Sequence, residues 1–280
     1  MYRCVTLVFF LITLCLASLR AQDSTPAGFP FAPGEKLYYS LKWGPFMVGE
    51  AILEVVDIVD EFGEPAYHIT FDVRTNDFAD NFYRVRILIE SYPNLDMTRS
   101  THYRSDQKEG DEDKSFDVTF DWENQTIIRD EGDKTRDPLH PEHPLHDPLS
   151  ILFYFRTLDL GTHTSIPLPA TDGKRMIDVD AAVIGSEQIK VHAGTFDTIR
   201  IQPNLKDLGG VFKKSKDAAM DIWFSDDEFR YPVRLKSKVR VGSFRADLRR
   251  IERDGEIIEI SDDPDHSDTS KSSRRSRARR

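Results

Sequence analysis

Apolar and polar residues alternate along most of this chain with a period of two, the pattern of half-buried β-strands. Leu37, Tyr39, Leu41 and Trp43 share one face of an extended segment, with Lys36, Tyr38, Ser40 and Lys42 on the other. Gly44-Pro45 punctuates it, and the apolar run over residues 47–59 supplies an antiparallel partner. Tyr67, Ile69, Phe71 and Val73 then alternate with His68, Thr70, Asp72 and Arg74, so three strands form a meander. A strand over 83–92 sets Val85, Ile87 and Ile89 on one face, and the more polar segment 101–107 is expected at a sheet edge. Phe116, Val118, Phe120 and Trp122 continue the alternation, followed by 126–129. Further strands are expected over 177–181, 188–192, 198–203, 219–224 and 233–241, with a bend at 241–244 leading into 246–251.

One stretch departs from this pattern. Residues 147–160 read Asp-Pro-Leu-Ser-Ile-Leu-Phe-Tyr-Phe-Arg-Thr-Leu-Asp-Leu. Asp147 suits a helix cap, Pro148 a first turn, and no glycine or proline follows to stop propagation. Leu149, Ile151, Leu152, Phe153, Tyr154, Phe155 and Leu158 cover nearly the whole circumference, so something must wrap around the helix. The expected fold is mainly β: a single curved antiparallel sheet, half-barrel or barrel-like, with one buried helix at about 148–158. No weakly hydrophobic linker separates the strands before the helix from those after it, which predicts one domain over 34–260.

The ends differ. Arg3, an apolar run over 5–19 and Leu19-Arg20-Ala21 read as a signal peptide over 1–21, because the run falls short of the ~20 residues a membrane span needs. A lead-in segment over 22–33 follows, and no transmembrane segment is expected in the mature chain, which is expected to be periplasmic or secreted. Residues 261–280 lack large apolar side chains and finish in a basic run, the composition of a disordered tail. Both cysteines, Cys4 and Cys15, lie in the leader, so the mature chain has neither disulfide nor thiol chemistry. Without Arg3 and Arg20 it keeps 36 of the 38 basic residues against 48 acidic ones, a formal −12. That balance argues against nucleic acid as a partner. The basic tail is a candidate for anionic envelope polymers or lipid headgroups.

Order and spacing also carry a family likeness. Gly34-Glu35-Lys36-Leu37-Tyr38-Tyr39, Lys42-Trp43-Gly44 and Gly49-Glu50-Ala51 open the match. Asp147-Pro148-Leu149-Ser150 with Tyr154 and Arg156, Ala193-Gly194-Thr195-Phe196, Trp223-Phe224-Ser225-Asp226-Asp227 and Pro232-Val233-Arg234 follow in order. Over about 34–250 the chain resembles the exported bacterial proteins of domain-of-unknown-function family 3108. The resemblance implies an exported protein and carries over no activity and no catalytic residue. A looser likeness, at the level of fold, is to the curved half-barrels of periplasmic lipoprotein carriers, which enclose an apolar cavity.

The chemistry-bearing residues leave several readings open. Trp43, Trp122, Tyr154, Phe155, Arg156 and Trp223 are candidate ligand-binding residues: aromatics directed into one interior, with Tyr154 and Arg156 at its mouth and the guanidinium meeting a polar head. The same aromatics can equally fill the interior. His140, His143 and His146 lie three apart and form a candidate metal set, although Pro141 and Pro144 prevent stacking on one helix face. Asp226, Asp227 and Glu228 read as a tight turn. No nucleophile elbow, phosphate loop or zinc-protease helix occurs, and no cofactor is implied. Three functions follow: a non-enzymatic carrier of a lipid-like or other hydrophobic ligand, an envelope scaffold with a packed core, and a metal-assisted hydrolase.

Overall fold

The computed structural model describes residues 28–204, 219–239 and 242–260; the leader-like residues 1–21, the end of the expected 233–241 strand and the 261–280 tail lie outside them. Seven strands precede the main helix: β1 (Lys36–Trp43), β2 (Phe46–Glu61), β3 (Glu64–Thr75), β4 (Val85–Pro93), β5 (Ser100–Glu109), β6 (Glu112–Asp121) and β7 (Thr126–Asp130). A single turn of helix, α1 (Asp77–Asp80), interrupts them between β3 and β4. After α2 (Ser150–Thr157) come β8 (Ser165–Thr171), β9 (Met176–Val191), β10 (Gly194–Pro203), β11 (Ala219–Ser225), β12 (Pro232–Val239), β13 (Gly242–Arg253) and β14 (Glu256–Ile258).

All fourteen strands of the described residues belong to one antiparallel sheet of order β7-β6-β5-β4-β3-β2-β1-β13-β12-β11-β10-β9-β8, with β14 paired to β13. The two meanders are therefore fused through β1 and β13, where Leu37 opposes Ile251 and Leu41 opposes Ala246. The sheet is not closed by strand pairing, and its free edges are β7 and β8. The connection between them ties both: Leu139 bridges to Ile127 of β7, and His146 bridges to Ala170 of β8. Arg129 of β7 also donates from Nη1 to the Asp172 carbonyl beyond β8 at 2.7 Å. Two glycines of the family motifs have steric reasons. A Cβ on Gly49 would collide with the Arg74 carbonyl across the β2–β3 pair, and one on Gly194, at φ +140°, would lie 2.8 Å from Ile260 Cβ.

Several expectations need correction. The polar segment 101–107 is not an edge but the interior strand β5, flanked by β4 and β6. Its polar side chains are satisfied across the sheet: His102 Nε2 and Arg104 Nε both lie 2.9 Å from Asp117 Oδ1. The true edge β8 went unrecognised because Pro167 and Pro169 interrupt its alternation, and prolines belong on edges. Residues 177–181 and 188–192 fall largely within one long strand, β9, bent at Gly185. The helix is shorter than expected, running over eight residues from Ser150.

Candidate binding concavity

Asp147 organises the entry to α2. Its Oδ1 accepts the N–H groups of Leu149 and Ser150 at 2.8 and 2.9 Å, and its Oδ2 accepts the hydroxyls of Ser91 and Ser100 at 2.6 and 2.5 Å. The first turn is thus capped and riveted to β4 and β5 at once. Ser150 Oγ lies 2.9 Å from Ser100 Oγ and 3.4 Å from His146 Nδ1. Serine, histidine and aspartate meet here, yet every carboxylate bond goes to serine or backbone, none goes to the imidazole, and all four side chains are buried. A nucleophile must be held by a base that is itself oriented and must face substrate, so this group is structural. Burial pushes the His146 imidazole down to about 4, with the Asp147 charge opposing weakly.

The far end of the helix carries a second anchor that reasoning from the sequence missed. Arg156 is fully buried and grips Glu35 through Nη1–Oε1 at 2.5 Å and Nη2–Oε2 at 3.1 Å. Its remaining donors reach the Phe229 and Pro30 carbonyls, and Arg253 adds a second cation on Glu35 at 3.1 Å. The guanidinium also sits 5.2 Å from the ring centre of Phe31 and 5.3 Å from that of Phe153. Arg156 is therefore not at a mouth: it is enclosed at the buried end of the sheet, with each of its three nitrogens bonded to protein. The nearby Tyr39 phenol donates to the Pro232 carbonyl at 2.9 Å, and burial raises its ionisation well above the ordinary value.

The other predicted residues divide. Phe155 is buried against Phe224 at 5.6 Å, and Tyr154 lies half-buried over the His146 ring at 4.8 Å. Trp122, just past β6, donates to the Ser100 carbonyl and stacks on Phe120. Trp223 pairs with Arg200 and Arg234, on the face opposite Ile222 and Phe224, and donates to Glu187 at 2.7 Å. It does not look into the concavity. Trp43 does share the inward face, but at its rim, 47% exposed and stacked on Phe244. Of the three histidines, His140 and His143 are exposed while His146 is buried against Tyr154, so they do not converge. Among the described residues no group of three His, Cys, Asp or Glu side chains is placed to hold a metal ion.

What remains is a gradient along the concave face. Register puts Leu41, Ala51, Leu53, Val73, Phe71, Ile69, Ile87, Ile89, Phe116, Val118, Leu235 and Ala246 on the side that faces the helix. Toward the Arg156–Glu35 end this face is fully buried, as at Leu37, Val55, Tyr67 and Ile69. Toward the opposite end Leu41, Phe71, Val73, Ile87, Ile89, Phe116 and Leu235 are only half-buried. The inward face is thus buried around the helix and only part-buried beyond it, with half-exposed Leu152 packed against both core clusters. The sequence alternation correctly grouped Phe71 with Val73 and Ile87 with Ile89, and the register puts both pairs inward; where the helix stops covering them was not readable. Two clefts, of about 170 and 420 Å³, are polar; the larger, lined by Met47, Gly49, Arg74 and Arg86 among others, lies beside the β1–β2 turn and the β3–β4 connection. Asp226, Asp227 and Glu228 line the first, where Asp227 Oδ1 accepts the Phe229 and Arg230 N–H groups as the expected turn.

Over residues 38–249 the chain matches the family described as a protein of unknown function, DUF3108. Among solved structures it is similar to a β-barrel-like protein of domain of unknown function DUF1849 from Brucella abortus. That similarity has a TM-score of 0.49 at 10% identity, covering 81% of this chain and 98% of the other. A lipoprotein from Parabacteroides distasonis, described there as putative, aligns at a TM-score of 0.29 and 10% identity over 80% and 98% of the two chains. No curated protein matches. No described helix is long and apolar enough to cross a membrane.

Proposed function

The chain belongs to the DUF3108 family of proteins of unknown function, and we propose that it is an exported, non-enzymatic binding protein that holds a lipid-like or other hydrophobic molecule in the open half of its concave sheet. One observation carries the reading. Inward-facing Leu41, Phe71, Val73, Ile87, Ile89, Phe116 and Leu235 are left in partial contact with water. Apolar surface on the inside of a curved sheet is a cost to the free protein unless a guest covers it, at roughly 25 cal/mol per Å². The leader-like residues 1–21 support action outside the cytoplasm.

The closed half supports a rigid receptacle rather than a hollow shell. The buried Arg156–Glu35 pair and the Asp147–serine cluster pin both ends of α2, so the floor is preformed. The polar head of a guest would meet the mouth, not Arg156, whose donors are already engaged. Native mass spectrometry of the purified protein, with lipid extraction of the same sample, tests the reading. A co-purifying or titratable amphiphile at unit stoichiometry is expected; a protein that neither carries nor takes up any amphiphile would sink the proposal.

A further inference from the structure

The rim of the open end is unusually aromatic. The β1–β2 turn, the β3–β4 connection with α1, the β5–β6 turn and the start of β13 all lie at this end of the sheet. Along that arc Trp43, Phe46, Phe78, Phe82, Tyr83 and Phe244 are all exposed, Phe82 by 78%. They form two stacks. Trp43 lies on Phe244 at 6.3 Å, while Phe78 lies on Phe46 at 6.2 Å and meets Phe82 edge-on at 5.5 Å. Isolated exposed apolar residues are ordinary, but stacked aromatics gathered at the end of a sheet mark a surface with a partner.

The charge beside the arc says which partner. On the outer face of β1, β12 and β13, directly behind Trp43 and Phe244, three cations share one carboxylate. Asp247 receives Arg234 at 2.5 Å, Arg245 at 3.0 Å and Lys42 at 3.7 Å. One negative charge cannot neutralise three positive ones, so this sector carries local positive potential although the whole chain is at −10. Lys236 and Lys238 stand exposed on the same strand as Arg234. Aromatic rings at loop tips, backed by Lys and Arg whose stems lie along the sheet, are the chemistry of the bilayer interface: rings enter the headgroup region and cations meet lipid phosphates.

We propose that this arc docks the protein, mouth down, on a bilayer surface containing anionic phospholipid. The proposal rests on the reading of the concavity as a hydrophobic-ligand site, because the arc encircles its open end and a docked mouth gives an amphiphile a path that avoids water. An acidic stretch at the β5–β6 turn, with Glu109, Asp111, Glu112 and Asp113, sits on the opposite side of the arc. Docking therefore tilts the β1–β13 side toward the membrane.

The test is flotation of the full chain with vesicles of phosphatidylethanolamine and phosphatidylglycerol, and with vesicles of phosphatidylcholine alone. A triple Phe46→Ser, Phe78→Ser, Phe82→Ser variant runs alongside, and dansyl-labelled fatty acid binding is measured on both proteins. The wild type is expected to float with the anionic vesicles and to be released by salt. The triple variant is expected to lose roughly tenfold in partitioning while still binding the fatty acid. Fatty acid binding without flotation overturns docking and leaves the ligand reading standing. Flotation unchanged in the triple variant also overturns it, as does a dimer that the three substitutions dissociate, which would assign the arc to a second copy of the chain. Arc-dependent flotation without fatty acid binding supports docking and removes the ligand reading.

Discussion

At the scale of single residues, the buried ion pair of Glu35 and Arg156 decides how the helix is held. Removing one partner strands a charge in the core, so Glu35→Gln or Arg156→Met is expected to cost about 3–5 kcal/mol of unfolding free energy in urea melts. Joint replacement by apolar residues is expected to cost much less than the sum, because the fully buried charge leaves with its partner and only the part-exposed Arg253 loses an ion pair. Glu35 was visible in the sequence only as a letter in a motif, and its partner lies 121 positions away; neither periodicity nor composition encodes that meeting. His146 makes a second residue-scale prediction. Its folded value of about 4 lies below the ordinary 6.5. The unfolded chain therefore binds the extra proton between those values, and the contribution is complete above pH 6.5 and lost as pH falls toward 4. The loss is about 3 kcal/mol. The difference in unfolding free energy between the wild type and His146→Phe, measured across that window, should carry this slope; a difference independent of pH would contradict it.

The elements show what a local pattern can and cannot specify. Most strands of the two meanders were legible because each buries one face, which imposes a period of two on the sequence; β8, broken by Pro167 and Pro169, was not. The helix was legible too, but its length was not: Pro148 and Leu149 are drawn into a turn by the Asp147 cap, and helical bonding starts only at Ser150. Helix α1 was missed because a single turn leaves no period to read. Strand β5 read as an edge because its outward partners, such as Asp117, come from another strand. For the same element logic Asp147→Ala should be severe. It removes the cap of α2 and leaves the buried Ser91 and Ser100 hydroxyls without their shared acceptor, a combined cost of about 2–4 kcal/mol. Equilibrium unfolding of this variant, set beside Asp147→Asn, which keeps an acceptor, checks the order of effects.

Over the whole molecule, fusion of two meanders through β1 and β13 gives a sheet wide enough to curve around a short helix, with an inward face buried at one end and part-exposed at the other. That mismatch is the central claim, since it separates a receptacle from a packed scaffold. Sequence alternation could name the inward residues of β3 and β4 but not the point at which the helix ceases to shelter them, which depends on tertiary distances alone. Neighbouring residues on β4 offer a direct test. Ile89 faces the concavity, half-buried and paired with Phe71, whereas Leu88 faces outward and is 39% exposed. Titration of dansyl-labelled fatty acid into Ile89→Asp and Leu88→Asp, each checked for a wild-type-like fold by circular dichroism, reads which face binds. Ile89→Asp is expected to weaken binding by roughly tenfold or more, the effect of a carboxylate in an apolar contact, while Leu88→Asp leaves it unchanged. Equal binding by the two variants would contradict a site on the concave face.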